Sequence, residues 1–91
     1  MTIQELLVIE REIWGEKRLS LPEILVRTGV TYGDLCRIAR GEKKDADLTQ
    51  DDLMKELGNL LASTVRFCDD LGLDPEACIN RALTCHRAFV K

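Results

Sequence analysis

Residues 49 to 72, TQDDLMKELGNLLASTVRFCDDLG, restrict the fold more than any other stretch. At helical period Leu53, Leu57, Leu60, Leu61, Val65, Cys68 and Leu71 form one apolar stripe. Asp52, Glu56, Asn59 and Ser63 recur four, three and four residues apart, which also keeps them on one face. A helix of more than five turns with a carboxylate and an amide beside its apolar stripe either leaves them solvated or uses them to hold something.

The flanking segments read as shorter helices. Thr2 and Glu5 form a capping box, so a helix starts almost at once. Leu6, Leu7, Ile9, Ile13 and Trp14 make its apolar side, and Gly15 marks its end. A second helix opens at Ser20 with Pro22 in its first turn. Gly29 and Gly33 lower its helix propensity, so residues 21–40 form either one strained helix or two short helices around a turn at 28–31. Lys43 to Leu48 read as a charged loop, and Thr49 as the cap of the long helix. Gly72 is a natural C-cap; Asp74 and Pro75 then start a last helix with Cys78, Ile79, Ala82, Leu83 and Phe89 as its apolar positions. The expectation is one all-α domain over residues 1–91, a four-helix bundle-like arrangement with antiparallel neighbours.

Size and composition add limits. A chain of 91 residues buries a modest fraction of its surface, so completion by self-association is expected. The only aromatic residues are Trp14, Tyr32, Phe67 and Phe89, which leaves aliphatic side chains to build the core. A net charge of −3 argues against non-specific nucleic-acid binding. No apolar run approaches the roughly 18 residues of a membrane span, and the N-terminus lacks a signal-peptide pattern, so a cytoplasmic protein without a membrane partner is expected. Cys36, Cys68, Cys78 and Cys85 contain no close pair for zinc, and reduced thiols are the default. Cys68 and Cys78 flank a helix–helix turn, and whether they pair in a disulfide is left open by the sequence.

Carboxylates on facing helices of a bundle suit Mg²⁺ or Mn²⁺, which prefer hard oxygen ligands. Glu56 supplies one, and Asp34 a second if the two helices pack together. Against this stands the simpler reading, in which both are solvated charges on helix faces.

From Leu25 to Phe89, the chain resembles the all-α nucleoside triphosphate pyrophosphohydrolases of the MazG-like group, related to the dimeric dUTPases. Glu56-Leu57-Gly58-Asn59-Leu60-Leu61 stands where the family has Glu-Leu-Gly-Asp and two apolar residues. Asp70-Leu71-Gly72-Leu73-Asp74-Pro75 matches its helix hairpin, and Gly33-Asp34-Leu35 the end of its acidic Glu-Glu-x-x-Glu helix. The resemblance implies a dimer or tetramer that releases pyrophosphate from a nucleotide with Mg²⁺ or Mn²⁺. It also implies Glu56, Asp34 and Asn59 as the metal site, with Arg81 and Arg87 candidates for phosphate contact; no catalytic residue is assigned. The departures fall on the chemistry. Val30 and Thr31 stand at the paired glutamates, Asp34 is a shortened glutamate, and Asn59 replaces an aspartate. About three negative charges are lost, and Mg²⁺ affinity follows charge. The expectation is a degenerate member, weakly active or inactive.

Two other readings compete. Residues 21–42 also resemble the helix-turn-helix of phage-repressor-type regulators, with the turn at 28–31. Thr31, Tyr32, Asp34, Arg37 and Arg40 would then face DNA. The third is a non-catalytic oligomeric interaction module built on an inherited enzyme fold.

Overall fold

Thr2 opens the first helix, α1 (Ile3–Trp14), with a reciprocal cap. Its hydroxyl accepts from the Glu5 N–H at 3.0 Å and the Glu5 carboxylate accepts from the Thr2 N–H at 3.4 Å. Two donors that a helix start leaves open are thereby satisfied. This is seen in a computed structural model that describes residues 1–40 and 50–90. Gly15 ends α1 at a φ of +78°, a conformation glycine adopts without a Cβ clash. Ser20 and Glu23 repeat the capping box at α2 (Leu21–Ala39).

α2 is continuous through residues 28–31, which corrects the two-helix reading of this stretch. Its buried and half-buried positions include Ile24, Thr28, Thr31, Leu35 and Ile38, spaced four, three, four and three apart. That single unbroken stripe lies along α3 (Gln50–Asp70), the helix it packs against. Two glycines weaken a helix by about 1 kcal/mol each relative to alanine, and a stripe packed on a neighbour outweighs that. The turn required by the helix-turn-helix reading is absent. The proposed exit at Gly41-Glu42, the loop from Lys43 to Leu48 and the Thr49 cap lie outside the described residues.

The hairpin after α3 forms as its sequence dictates. The Leu73 N–H donates to the Cys68 carbonyl and the Gly72 N–H to the Asp69 carbonyl, both at 2.9 Å, with Gly72 at φ +74°. This is the paired carbonyl-capping closure that a C-terminal glycine permits. Asp74 then caps α4 (Pro75–Val90), its carboxylate accepting from the Ala77 N–H at 3.0 Å. Across the hairpin Cys68 and Cys78 are half-buried free thiols. Burial, followed by the interaction with Cys78, pushes the Cys68 thiol up to about 11.

All three other helices pack on α3, giving an all-α, bundle-like arrangement with no strand among the described residues. α1 runs antiparallel to α3, since Arg11 meets Asp69 and Asp70 while Trp14 meets Arg66, one turn earlier in α3. α4 touches α3 near the hairpin, where Pro75 is buried and Cys78 half-buried; residues 79–90 are exposed.

The apolar sides read in the sequence turn inward only in part: Leu6 and Leu7 of α1, Ile24, Leu35 and Ile38 of α2, Leu60, Val65 and Cys68 of α3 and Cys78 of α4 are buried or half-buried. Besides Pro75, Leu19 and Ile24 are the buried apolar residues among those described, whereas Glu10, Arg66 and Asp70 are buried and polar. Leu53, Leu57, Leu61 and Leu71 of the expected α3 stripe are exposed, as are Ile9, Ile13 and Trp14 of α1 and Ile79, Leu83 and Phe89 of α4. The inner side of α3 is mixed: Asp52, Glu56 and Ser63 of the polar file are half-buried and Arg66 and Asp70 buried, beside the half-buried Leu60, Val65 and Cys68.

The surface reflects this. The chain exposes 6921 Å², whereas a compact monomer of 10.3 kDa exposes about 5,400 Å². No helix among the described residues is long and apolar enough to cross a membrane.

Candidate functional site

α2 and α3 meet along a seam of neutral polar side chains. Ser63 Oγ donates to Asn59 Oδ1 at 2.8 Å, and Asn59 Nδ2 donates to Thr31 Oγ1 at 3.1 Å. Thr31 Oγ1 in turn donates to the Arg27 carbonyl at 3.4 Å. Each hydroxyl proton, the amide oxygen and one amide proton are therefore engaged in one directed chain. Thr31 and Asn59 are positions that the family resemblance assigns to carboxylates, and helix packing brings them together.

The other two predicted site residues do not join this chain. Glu56 is half-buried, its carboxylate 3.6 Å from Lys55 Nζ, one turn from Asn59. Asp34 is held by Arg37 on its own helix and lines a separate groove with Gly29, Gly33 and Arg40. Among the described residues no group of three or more His, Cys, Asp or Glu side chains could hold a metal ion. The donor set thus does not fit the Mg²⁺ or Mn²⁺ site expected from the sequence. Asp34 already neutralises a guanidinium, the Asn59 oxygen already accepts a hydrogen bond from Ser63, and the Val30 side chain has no ligating atom. Two carboxylates, each already facing a cation of its own helix, leave a hard divalent cation short of charge.

Arg81 and Arg87 are exposed on α4, and Arg81 Nη1 donates to Cys85 Sγ at 3.0 Å. α4 leans on α3 alone among its larger helix contacts, so neither arginine is placed along the α2–α3 seam.

The polar file of α3 continues into a charged cluster that the sequence reading did not single out. Arg11 Nη2 donates to Asp69 Oδ2 at 2.5 Å and to Asp70 Oδ1 at 2.6 Å. Arg18 Nη1 donates to Asp69 Oδ2 at 2.9 Å and to the Asp69 carbonyl. On the other side of Asp70, Arg66 Nε stands 3.5 Å from Oδ2, an ion pair without a hydrogen bond at either atom. The Asp70 side chain is 0% exposed and that of Arg66 6%. Partial burial pushes the Asp69 carboxyl up, but the hydrogen bonds and charges of Arg11 and Arg18 outweigh it and hold the group below the ordinary carboxylate range. The Asp70 hydrogen bond, opposed by burial and reinforced by Asp69, raises Arg11 above its ordinary value. Spacing alone points to part of this cluster: Asp52, Glu56, Asn59, Ser63, Arg66 and Asp70 follow one four–three rhythm.

Where the seam meets α1 a cavity of about 290 Å³ opens. Asn59, Ser63 and Thr31 line one part of it, Trp14, Arg66 and Phe67 another. The Arg66 guanidinium lies over the Trp14 ring, 5.2 Å from its centroid. The chain as a whole matches no known family model, no curated protein and no solved structure.

Proposed function

We propose that this chain is a MazG-like module in which the metal and triphosphate cleft has become a neutral hydrogen-bonded seam. In this reading its role depends on an assembled homo-oligomer, a dimer or tetramer, rather than on fast pyrophosphate release from a nucleotide. One observation carries the reading: the hydrogen bond between Asn59 and Thr31, which joins two positions where the resemblance expects metal-holding carboxylates. A neutral pair there supports helix packing without a cation, since no like charges need to be held apart.

The assembled state is supported by surface. The roughly 1,500 Å² exposed beyond a compact monomer exceeds the ~800 Å² that each partner contributes to a standard interface. Leu57 and Leu61 of α3 are among the exposed aliphatic side chains. A second copy offers the same stripe, and a symmetric pair of such helices is self-complementary.

The helix-turn-helix alternative gains no support, because α2 has no turn at 28–31. The interaction-module alternative differs from the proposal only in whether any hydrolysis survives. Pyrophosphate release from a panel of nucleoside triphosphates, compared between the native chain and Glu56→Ala, separates the two. Release lost in Glu56→Ala means a working remnant of the site; no release from either means a scaffold.

A further inference from the structure

The cavity beside the seam has an occupant class written into its walls. Arg66 is a guanidinium whose side chain is 6% exposed and whose Nε makes no hydrogen bond. Among the described residues its partners are the Asp70 carboxylate at 3.5 Å and the Trp14 ring. A guanidinium directs its N–H groups outward in its own plane, so resting one face on an indole leaves that edge free for acceptors. Arg66 is one of the residues that line the cavity, while its Nε faces Asp70 Oδ2. Asp70 supplies counter-charge but no hydrogen bond: its Oδ2 stands 3.5 Å from Arg66 Nε, and its Oδ1 is held by Arg11 at 2.6 Å. A buried, under-bonded cation at the wall of a cavity favours an anionic acceptor strongly, because charge-assisted bonds strengthen away from water.

The remaining lining defines the rest of the ligand. Trp14 and Phe67 present ring surface, while Thr31, Asn59 and Ser63 present small polar groups. The volume of about 290 Å³ lies at the lower edge of the range for small-molecule sites. It admits a single ring with one attached group.

We propose that this cavity binds a small organic oxyanion with a flat apolar body, the oxyanion on Arg66 and the body against Trp14 and Phe67. Carboxylate and phosphate monoester share this chemistry. The site shares Val30, Thr31 and Asn59 with the cleft of the pyrophosphohydrolase reading, but it calls on neither Glu56 nor Asp34, which do not line it, and needs no hydrolysis.

Trp14 is the only tryptophan and reports on the site directly. The native chain is titrated with benzoate, with phenyl phosphate and with neutral benzyl alcohol while its emission is followed. A saturable change with benzoate or phenyl phosphate and none with benzyl alcohol is expected, and the stronger of the two names the oxyanion. Loss of the planar fork in Arg66→Lys is expected to weaken binding about tenfold or more. That variant also alters the pairing with Asp70, so Ser63→Leu is the second test: it fills the cavity from α3 without touching an ion pair. With an unchanged far-ultraviolet circular dichroism melt, Ser63→Leu should abolish the saturable response. Absence of saturation with both anions, an equal response to benzyl alcohol, or native-like binding by folded Ser63→Leu would each overturn the proposal.

Discussion

Asn59 of α3 donates to the Thr31 hydroxyl of α2 across 3.1 Å while its carbonyl oxygen accepts from Ser63, so one amide ties α3 to α2 at one end and to the next turn of its own helix at the other. Removing it leaves two hydroxyls to solvent. Because the group is solvent-accessible, Asn59→Ala should lower stability by only about 1 kcal/mol in urea denaturation. A double-mutant cycle with Thr31→Val should return a coupling of about 0.5–1 kcal/mol, and additive effects would show the bond to be idle.

Asp70 is the counter-charge for two guanidiniums in a dry setting. Asp70→Asn keeps the shape and removes the charge, leaving Arg11 and Arg66 under-compensated. We expect a loss of about 3–5 kcal/mol, as for other buried pairs broken on one side. Arg18 is half-exposed where it meets Asp69, so Arg18→Ala should fall within about 1 kcal/mol of the native chain. Chemical denaturation of the two variants side by side checks the order.

The Asp69 carboxyl is depressed in the folded chain. Its contribution to stability is therefore complete above the unfolded carboxylate range and is lost as pH falls through the lower folded value. Asp69→Asn should flatten the acid limb of the stability–pH profile. At the alkaline end Cys68 runs the other way. With its thiol at about 11 in the folded state, it favours the native fold less and less as pH rises from the ordinary thiol value toward 11. Thiol labelling at pH 8 should accordingly reach exposed Cys85 well before Cys68.

The exposed outer leucines of α3 carry the assembly prediction. If the native chain associates as proposed, Leu57→Lys with Leu61→Lys should shift it to a monomer in light scattering at the same concentration. A native chain that is itself monomeric would remove this part of the account.

The sequence was most informative where structure is local. The caps at Thr2, Ser20 and Asp74 and the closure at Gly72 depend on neighbours within a few residues, and all four formed as their chemistry requires. It was less informative about facing. Leu57 and Glu56 are adjacent in sequence on one amphipathic helix, and which of them turns inward depends on what α1, α2 and a second copy offer. Continuity of α2 was undecided for the same reason, because small glycine penalties are settled by packing on α3. The four–three rhythm does reach Arg66 and Asp70, so their place on the polar file was readable. Their partner Arg11 lies 58 and 59 residues from Asp69 and Asp70, and no local pattern announces it.

The most direct measurement compares pyrophosphate release from nucleoside triphosphates with Mg²⁺ for the native chain and for the combined Val30→Glu, Thr31→Glu and Asn59→Asp variant. If the seam is a neutralised metal cleft, restoring three carboxylates should raise Mg²⁺-dependent release about a hundredfold or more, through charge alone at positions the fold already brings together. A native rate equal to or above that of the folded variant would contradict the account.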